Sequence, residues 1–294
     1  MSRARLAVVA AAVLLGAMTV VLASGHLPWP RGRCGLPAVA PAGTPSSAVS
    51  APDGGGVRVV EQGFSQAGRD GSVSIGALVE NTSGSVAYRT RVGFRLFDAA
   101  HAPLFDALPG QHRLTVEVPV LLPGQRVGVG TTAFAAAKAA VASVEVAPGT
   151  STWLARDALG RGFSAVTAAY LSTKHPNPKD PSTVDVHYRE KSVNCRPLHE
   201  RLAATIFRDA QGRIVGGTLD RPGQPTVFHD ERGTELYRES KRPTSRSCAR
   251  GEREIWVTPG SPAPPGAEDA RTEIYPYCDL ARPRYPGQPG DPAN

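Results

Sequence analysis

The sequence predicts an all-β protein, with two tandem β-sandwiches carried behind an N-terminal membrane segment. Three observations predict it. Residues 72–98 spell two strands and the turn between them. The 31 glycines and 27 prolines, with only 6% aromatic residues, imply many turns between short elements. An uncharged apolar run close to the start reads as an export element.

The 72–98 stretch organises the rest. Val73, Ile75, Ala77 and Val79 alternate with Ser72, Ser74, Gly76 and Glu80, with Leu78 the exception on the polar side. That is the period of a half-buried strand. In the second arm Val86, Tyr88, Thr90, Val92, Phe94 and Leu96 share one side, and Arg89, Arg91 and Arg95 share the other, which is expected to face water. Residues 81–85, Asn-Thr-Ser-Gly-Ser, are turn formers. A helix would scatter the arginines around its circumference.

Ahead of this, Leu6 to Ser24 carries no charge and follows Arg3 and Arg5, so residues 1–26 read as a signal peptide or signal anchor. Val21-Leu22-Ala23 suits cleavage. The length of the run exceeds a usual signal core of ~7–15 residues and nearly spans a bilayer, and Trp29 suits an interfacial anchor. The preferred reading is a single-pass chain in the cell membrane through residues 6–24 with its bulk extracytoplasmic; the alternative is a secreted protein. Residues 27–56 are rich in Pro, Gly, Ala, Ser and Thr and read as a spacer that buries too little to fold.

The first domain is expected over 57–147. Its strands read at 57–64, in the two arms above, around Leu104, and at 114–118, 127–134 and 141–146, with turns at Asp98-Ala99-Ala100-His101 and Leu122-Pro123-Gly124-Gln125. About seven short strands at this spacing argue for an immunoglobulin-like sandwich. Phe94-Arg95-Leu96-Phe97-Asp98, with the Asn81 turn before it and Leu122-Pro123-Gly124 after it, resembles the signature of the FxLYD domain family, with Phe in place of Tyr. The resemblance implies an extracytoplasmic sandwich module without catalytic residues, and it implies no ligand.

A linker at 148–163 precedes a second sandwich at 164–278, whose strands read at 166–171, 184–188, 202–207, 214–217, 252–257 and near Ile274. Residues 202–212 repeat the hairpin of the first domain in degraded form, with Leu96 matching Ile206 and Leu104 matching Ile214, which suggests a duplication. Residues 279–294 are proline-rich and read as a disordered tail.

Cys34, Cys195, Cys248 and Cys278 form an even set in an exported chain, and so predict disulfides with three possible pairings. Sandwich topology favours Cys248 with Cys278, because the loop before the sixth strand and the end of the seventh share one end. Cys195, after the second strand, is expected at the opposite end. That leaves Cys34 with Cys195 as a long-range clip or as free thiols; Cys195 with Cys248 is the competing pair. No Cys or His spacing suits zinc, and Cys34 follows arginines, which suits a lipoprotein acceptor poorly.

Elbow, phosphate-loop, zincin and calcium-loop motifs are absent from the sequence, so neither catalytic nor cofactor-binding nor metal residues are expected. His187, His199, His229 and Asp230 could converge, but surface histidines explain them better. Glu80, Asp98 and Asp106 could make a carboxylate pair, but turn and cap roles explain them more simply. Asn81-Thr82-Ser83 fits a glycosylation acceptor, and reads first as a turn. The formal charge of +7 is not concentrated in any folded segment, and the run from Arg238 to Arg253 interleaves its bases with Glu239 and Glu252. Both points argue against a nucleic-acid partner.

The functional expectation is therefore a non-enzymatic cell-surface protein that presents two sandwiches to an envelope protein or cell-wall polymer. The alternative is a secreted enzyme or small-ligand-binding protein with its site in the second domain, where the irregular 218–250 segment could form a lid. A purely architectural role in an envelope complex is the third reading.

Overall fold

The computed structural model describes residues 34–37, 50–66, 71–104, 114–135, 139–177, 182–220, 227–229, 235–238, 248–259 and 263–280. The expected export segment lies outside them. No helix among the described residues is long and apolar enough to cross a membrane. The chain divides into two compact units, Met1–Cys34 and Gly35–Asn294, and every described strand belongs to the second.

Seven strands make the first half: β1 (Val57–Gln66), β2 (Ser72–Asn81), β3 (Val86–Phe97), β4 (Leu114–Leu121), β5 (Arg126–Phe134), β6 (Ser143–Pro148) and β7 (Thr152–Leu154). They form two antiparallel sheets, in the orders β1-β2-β5 and β4-β3-β6, with β7 also on β3. Val73, Ile75, Ala77 and Val79 of β2 meet Val92, Phe94 and Leu96 of β3 in one fully buried core. That core is what the alternation in the sequence predicts.

The second half contains β8 (Thr167–Lys174), β9 (Asp185–Ser192), β10 (His199–Arg208), β11 (Ile214–Asp220), β12 (Val227–His229), β13 (Glu235–Arg238), β14 (Gly251–Val257) and β15 (Glu273–Asp279). Their sheets run β8-β9-β14 and β11-β10-β15, and β12-β13 is a separate hairpin inserted before β14. With that hairpin set aside, the strand order of the first half is reproduced. The β3 and β10 turns match in detail as well. Asp98 Oδ1 accepts from the N–H groups of Ala100 and Ala102, and Asp209 Oδ1 accepts from those of Gln211 and Arg213. His101 and Gly212 both take positive φ, 60° and 82°.

These turns place Asp98 on Asp209, one residue out of phase with the expected match of Leu96 to Ile206. Leu96 corresponds to Phe207 instead; each side chain faces the other sheet of its own sandwich. A slip of one residue changes the face of every side chain. Ala203, Ala204, Thr205, Ile206 and Phe207 are all buried, so the sequence offers no alternation from which to read the phase.

The reason for that double burial is that the sandwiches are stacked face to face. Sheet β11-β10-β15 packs on the outer face of β1-β2-β5, and Ala204, Tyr277 and Tyr275 join the first core. Small residues make this possible. A Cβ on Gly63 would lie 1.8 Å from the Ile214 carbonyl oxygen, and one on Gly76 would lie 2.3 Å from that of Gly216. β2 is therefore buried on both faces, with Ser72 and Ser74 buried along with the valines, rather than half-buried as expected.

Further expectations need correction. Arg89 does not face water with Arg91 and Arg95. It takes φ 53°, opposite Pro119, and beyond it β3 changes face: Ala87 lies in the first core, Val86 and Tyr88 in another. That other cluster gathers Leu36, Leu154, Leu159, Leu198, Cys248, Cys278 and Leu280. So the 148–163 segment carries β7 and a 3-10 turn at Arg156–Leu159, and Leu36 of the expected spacer is buried. Composition averages hide one well-placed leucine. Asp279 and Leu280, assigned to the tail, are buried at the end of β15; the rest of the tail lies outside the described residues. Around Leu104 the described residues make an isolated bridge from Phe97 to Pro103 rather than a strand.

Candidate functional site

Cys248 and Cys278 are joined, with S–S 2.00 Å and Cα–Cα 5.9 Å. Both are buried where the 248 turn meets the end of β15. Cys34 and Cys195 are also each disulfide-bonded, and none of the four cysteines is free. The expected placing of Cys195 at the opposite end is incorrect. β9 and β14 pair with Ser192 beside Gly251, and the Leu198 N–H donates to the Cys248 carbonyl, so Cys195 and Cys248 occupy the same end. Antiparallel pairing requires it, since the end of one strand meets the start of the other.

Glu190 lies beside the buried disulfide and is 1% exposed. Its carboxylate accepts from the Cys248 N–H. The Glu190 oxygen and the two sulfurs lie within 4.8 Å of one another, a metal-like grouping. With both sulfurs in a disulfide, neither is a thiolate that could ligate.

His187 and His199 do not converge. His187 lies on the outer face of the β8-β9-β14 sheet, stacked on Trp256 at 4.3 Å and 2° and 3.4 Å from Glu254. Lys174 Nζ lies 4.5 Å from the Trp256 ring centre. His199 sits in the other sheet, opposite Asp279, and His229 in the inserted hairpin. Asp230 lies outside the described residues. Around His187 the face is an ion-pair ladder, Arg189 with Glu254 and Lys191 with Glu252.

The candidate carboxylates have separate structural work. Glu80 is held between Arg58 and Arg126, and hydrogen bonds from the two guanidinium groups keep its carboxyl below the usual range. Asp98 closes its own turn. Asp106 lies outside the described residues. Asn81 is fully buried; its amide nitrogen donates to the Ser85 and Leu121 carbonyls, and its oxygen accepts from the Ser83 N–H and hydroxyl. An amide so engaged organises a turn and is closed to glycosylation.

Sequence reasoning missed the polar contacts across the stack. Glu61 of β1 receives Arg208 of β10 at 2.7 Å and the Ile214 N–H at 3.3 Å, while Arg208 also binds Glu273 at 2.7 Å. Hydrogen bonds to Glu61, then Glu273, hold the Arg208 pKa above its ordinary value despite burial. Ser74 Oγ both donates to and accepts from Gly217. The Tyr88 hydroxyl donates to fully buried Asp279 at 2.9 Å, with Arg89 3.4 Å from the same carboxylate. Burial first, and then the Asp279 charge, push the Tyr88 phenol up. Each contact joins residues far apart in sequence, so no local pattern could have shown it. An open cleft of about 630 Å³ lies along this seam, lined among others by Glu61, Phe64, Val144, Asp209, Arg213 and Val215.

No family model matches the chain, and no curated protein or solved structure shows significant similarity to it.

Proposed function

We propose that this is a non-enzymatic extracytoplasmic protein in which two immunoglobulin-like sandwiches, related by duplication, act as one rigid block that engages an envelope protein or cell-wall polymer. The observation that carries the reading is the repeated strand order, β1-β2-β5 with β4-β3-β6 and again β8-β9-β14 with β11-β10-β15, stacked through a glycine-lined seam. Oxidised cysteines support an oxidising compartment. The apolar 6–24 run supports export and a single membrane pass. The FxLYD resemblance rests on the end of β3 and on Asp98 just after it, the residue that builds the matching turn. The carboxylates and His187 are engaged in turns, ladders and stacking rather than grouped, which favours binding over hydrolysis.

Membrane fractionation of the native chain, followed by crosslinking and mass spectrometry, tests this reading. The expected result is a membrane-bound chain recovered with one envelope protein, or retained on insoluble cell-wall polymer. A soluble chain with neither, and with turnover of a small substrate lost when the seam cleft is blocked, would replace the proposal. That second reading draws on the cleft, which has both charged and apolar lining.

A further inference from the structure

Cys195, Cys248 and Cys278 meet at one end of the second sandwich, so the native pairing is a choice. Cys248 is bonded to Cys278, both buried, and Cys195 occupies the same end, where the Leu198 N–H donates to the Cys248 carbonyl at 3.0 Å. A thiolate exchanges with whichever sulfur it can reach, so proximity alone would let Cys195 take Cys248. With no cysteine free, the observed bond leaves Cys195 for Cys34.

Glu190 sits where that choice is made. Its neighbours Arg189 and Lys191 face out into the ion-pair ladder, which turns Glu190 inward, where it is 1% exposed. Its carboxylate accepts from the Cys248 N–H, and one of its oxygens lies within 4.8 Å of both sulfurs. Cys248 takes φ 64°, in the left-handed region that residues other than glycine hold only where their surroundings impose it. Its N–H is pinned by Glu190 and its carbonyl by Leu198, which together fix its side chain towards Cys278 on β15.

Cys195 is held by its own neighbours. Asn194, fully buried, exchanges hydrogen bonds with the Ser164 N–H and carbonyl at 2.9 and 2.8 Å. Arg196 donates to the carbonyl of Pro37, on the segment that follows Cys34 in the chain.

We propose that Glu190 is a positioning residue for disulfide formation: by holding the Cys248 N–H in its left-handed turn, it aims the sulfur at Cys278 and denies it to Cys195. In the closing step the Cys248 thiolate attacks the Cys278 sulfur in its mixed disulfide with a small thiol such as glutathione. The new S–S bond forms, and the glutathione thiolate leaves and takes up the proton that Cys248 gave. Two cysteine thiols are thereby oxidised as one glutathione disulfide is reduced to two thiols. The selection does not depend on the envelope role proposed above.

Oxidative refolding of the full chain in a glutathione buffer, quenched by alkylation and read by non-reducing peptide mapping, tests the proposal. The parent should return Cys248 bonded to Cys278. In Glu190→Ala the ratio of Cys278-linked to Cys195-linked Cys248 should fall about tenfold, the value of one hydrogen bond to a charged group. Glu190→Gln keeps an oxygen for the Cys248 N–H and should pair within about twofold of the parent. Val186→Ala, which opens a cavity on the same strand in the core cluster that holds no cysteine, should lower stability and leave the ratio unchanged. Parental pairing in Glu190→Ala would overturn the proposal, as would equal mispairing in Val186→Ala or in Glu190→Gln. If Glu190→Ala does not fold, Glu190→Asp, whose shorter side chain draws the carboxylate back from the Cys248 N–H, decides: native pairing there overturns the proposal, and mispairing supports it.

Discussion

The two sandwiches share a strand order and use opposite sheets to meet. In the first, the β1-β2-β5 sheet turns inward on the stack, and its outer face is Gly63, Ser74 and Gly76. Its counterpart in the second, β8-β9-β14, faces solvent, and there the outer positions carry Arg189, Lys191, Glu252 and Glu254 in ion pairs. Conversely β4-β3-β6 exposes Arg91 and Arg95 on the part of β3 beyond Arg89, while Val86 and Tyr88 before it meet the second half and β11-β10-β15 is enclosed on both sides. The contact is thus head to tail. Such an arrangement can add further copies without limit unless its ends are closed, and charge closes them, with exposed Arg91 and Arg95 on one outer face and the ion-pair ladder on the other. One architecture becomes core or surface according to whether glycine or charge occupies the same outward positions.

The sharpest break of this comparison is Gly76→Val, whose Cβ meets the Gly216 carbonyl oxygen at 2.3 Å. Overpacking a backbone contact should cost about 3 kcal/mol or more. Urea denaturation should then show two transitions where the parent shows one, and a single transition at an unchanged midpoint would refute a rigid seam. Arg189→Ala, on the corresponding outward face of β9, should change stability by less than about 0.5 kcal/mol.

Next in size is the buried disulfide. Replacing both Cys248 and Cys278 by Ala opens a loop of sequence separation 30 and should cost about 3.6 kcal/mol by the loop-closure relation. The loss should fall on the second sandwich and on the cluster around Leu36 and Leu198, which near-ultraviolet circular dichroism would report.

Arg208→Ala sharpens the comparison of ion pairs. It leaves Glu61 and Glu273 facing a vacated position, and should cost about 2 kcal/mol, against less than about 0.5 kcal/mol for Arg189→Ala. Equal effects in thermal melts would mean that the seam contacts are no stronger than the surface ladder.

The smallest effect at neutral pH concerns tyrosine. Burial raises the phenol pKa of Tyr88, Tyr275 and Tyr277. The fold therefore holds their neutral forms: this contribution is complete below about pH 10, the ordinary tyrosine value, and is lost as pH rises above it. Absorbance titration of the seven tyrosines should leave these three protonated where exposed phenols ionise, until the sheet unfolds. Seven phenols ionising together in a folded chain would contradict the burial.

Much of the fold is legible from local pattern. Val73 to Val79 and Val92 to Leu96 alternate because one side meets a core, and the expected strands at 57–64, 127–134, 184–188 and 252–257 fall on β1, β5, β9 and β14. The pairing of Cys248 with Cys278 is also legible from strand order, although Cys195 lies at their end of the sandwich rather than the opposite one. The β12-β13 hairpin is not legible in the sequence, because its short strands have no periodicity to read.

By itself the sequence determined the strands, their turns and the even set of cysteines, since these follow from side-chain period, turn chemistry and composition within a few residues. Only the tertiary structure decided that the two sandwiches share a seam, that Gly63 and Gly76 are contact residues rather than weak points in strands, and that Leu36, Arg89 and Asp279 are drawn inward. The physical reason is that burial on a second face depends on what a distant strand presents. Glycine, serine and a single leucine look the same in a local window whether they meet water or another backbone.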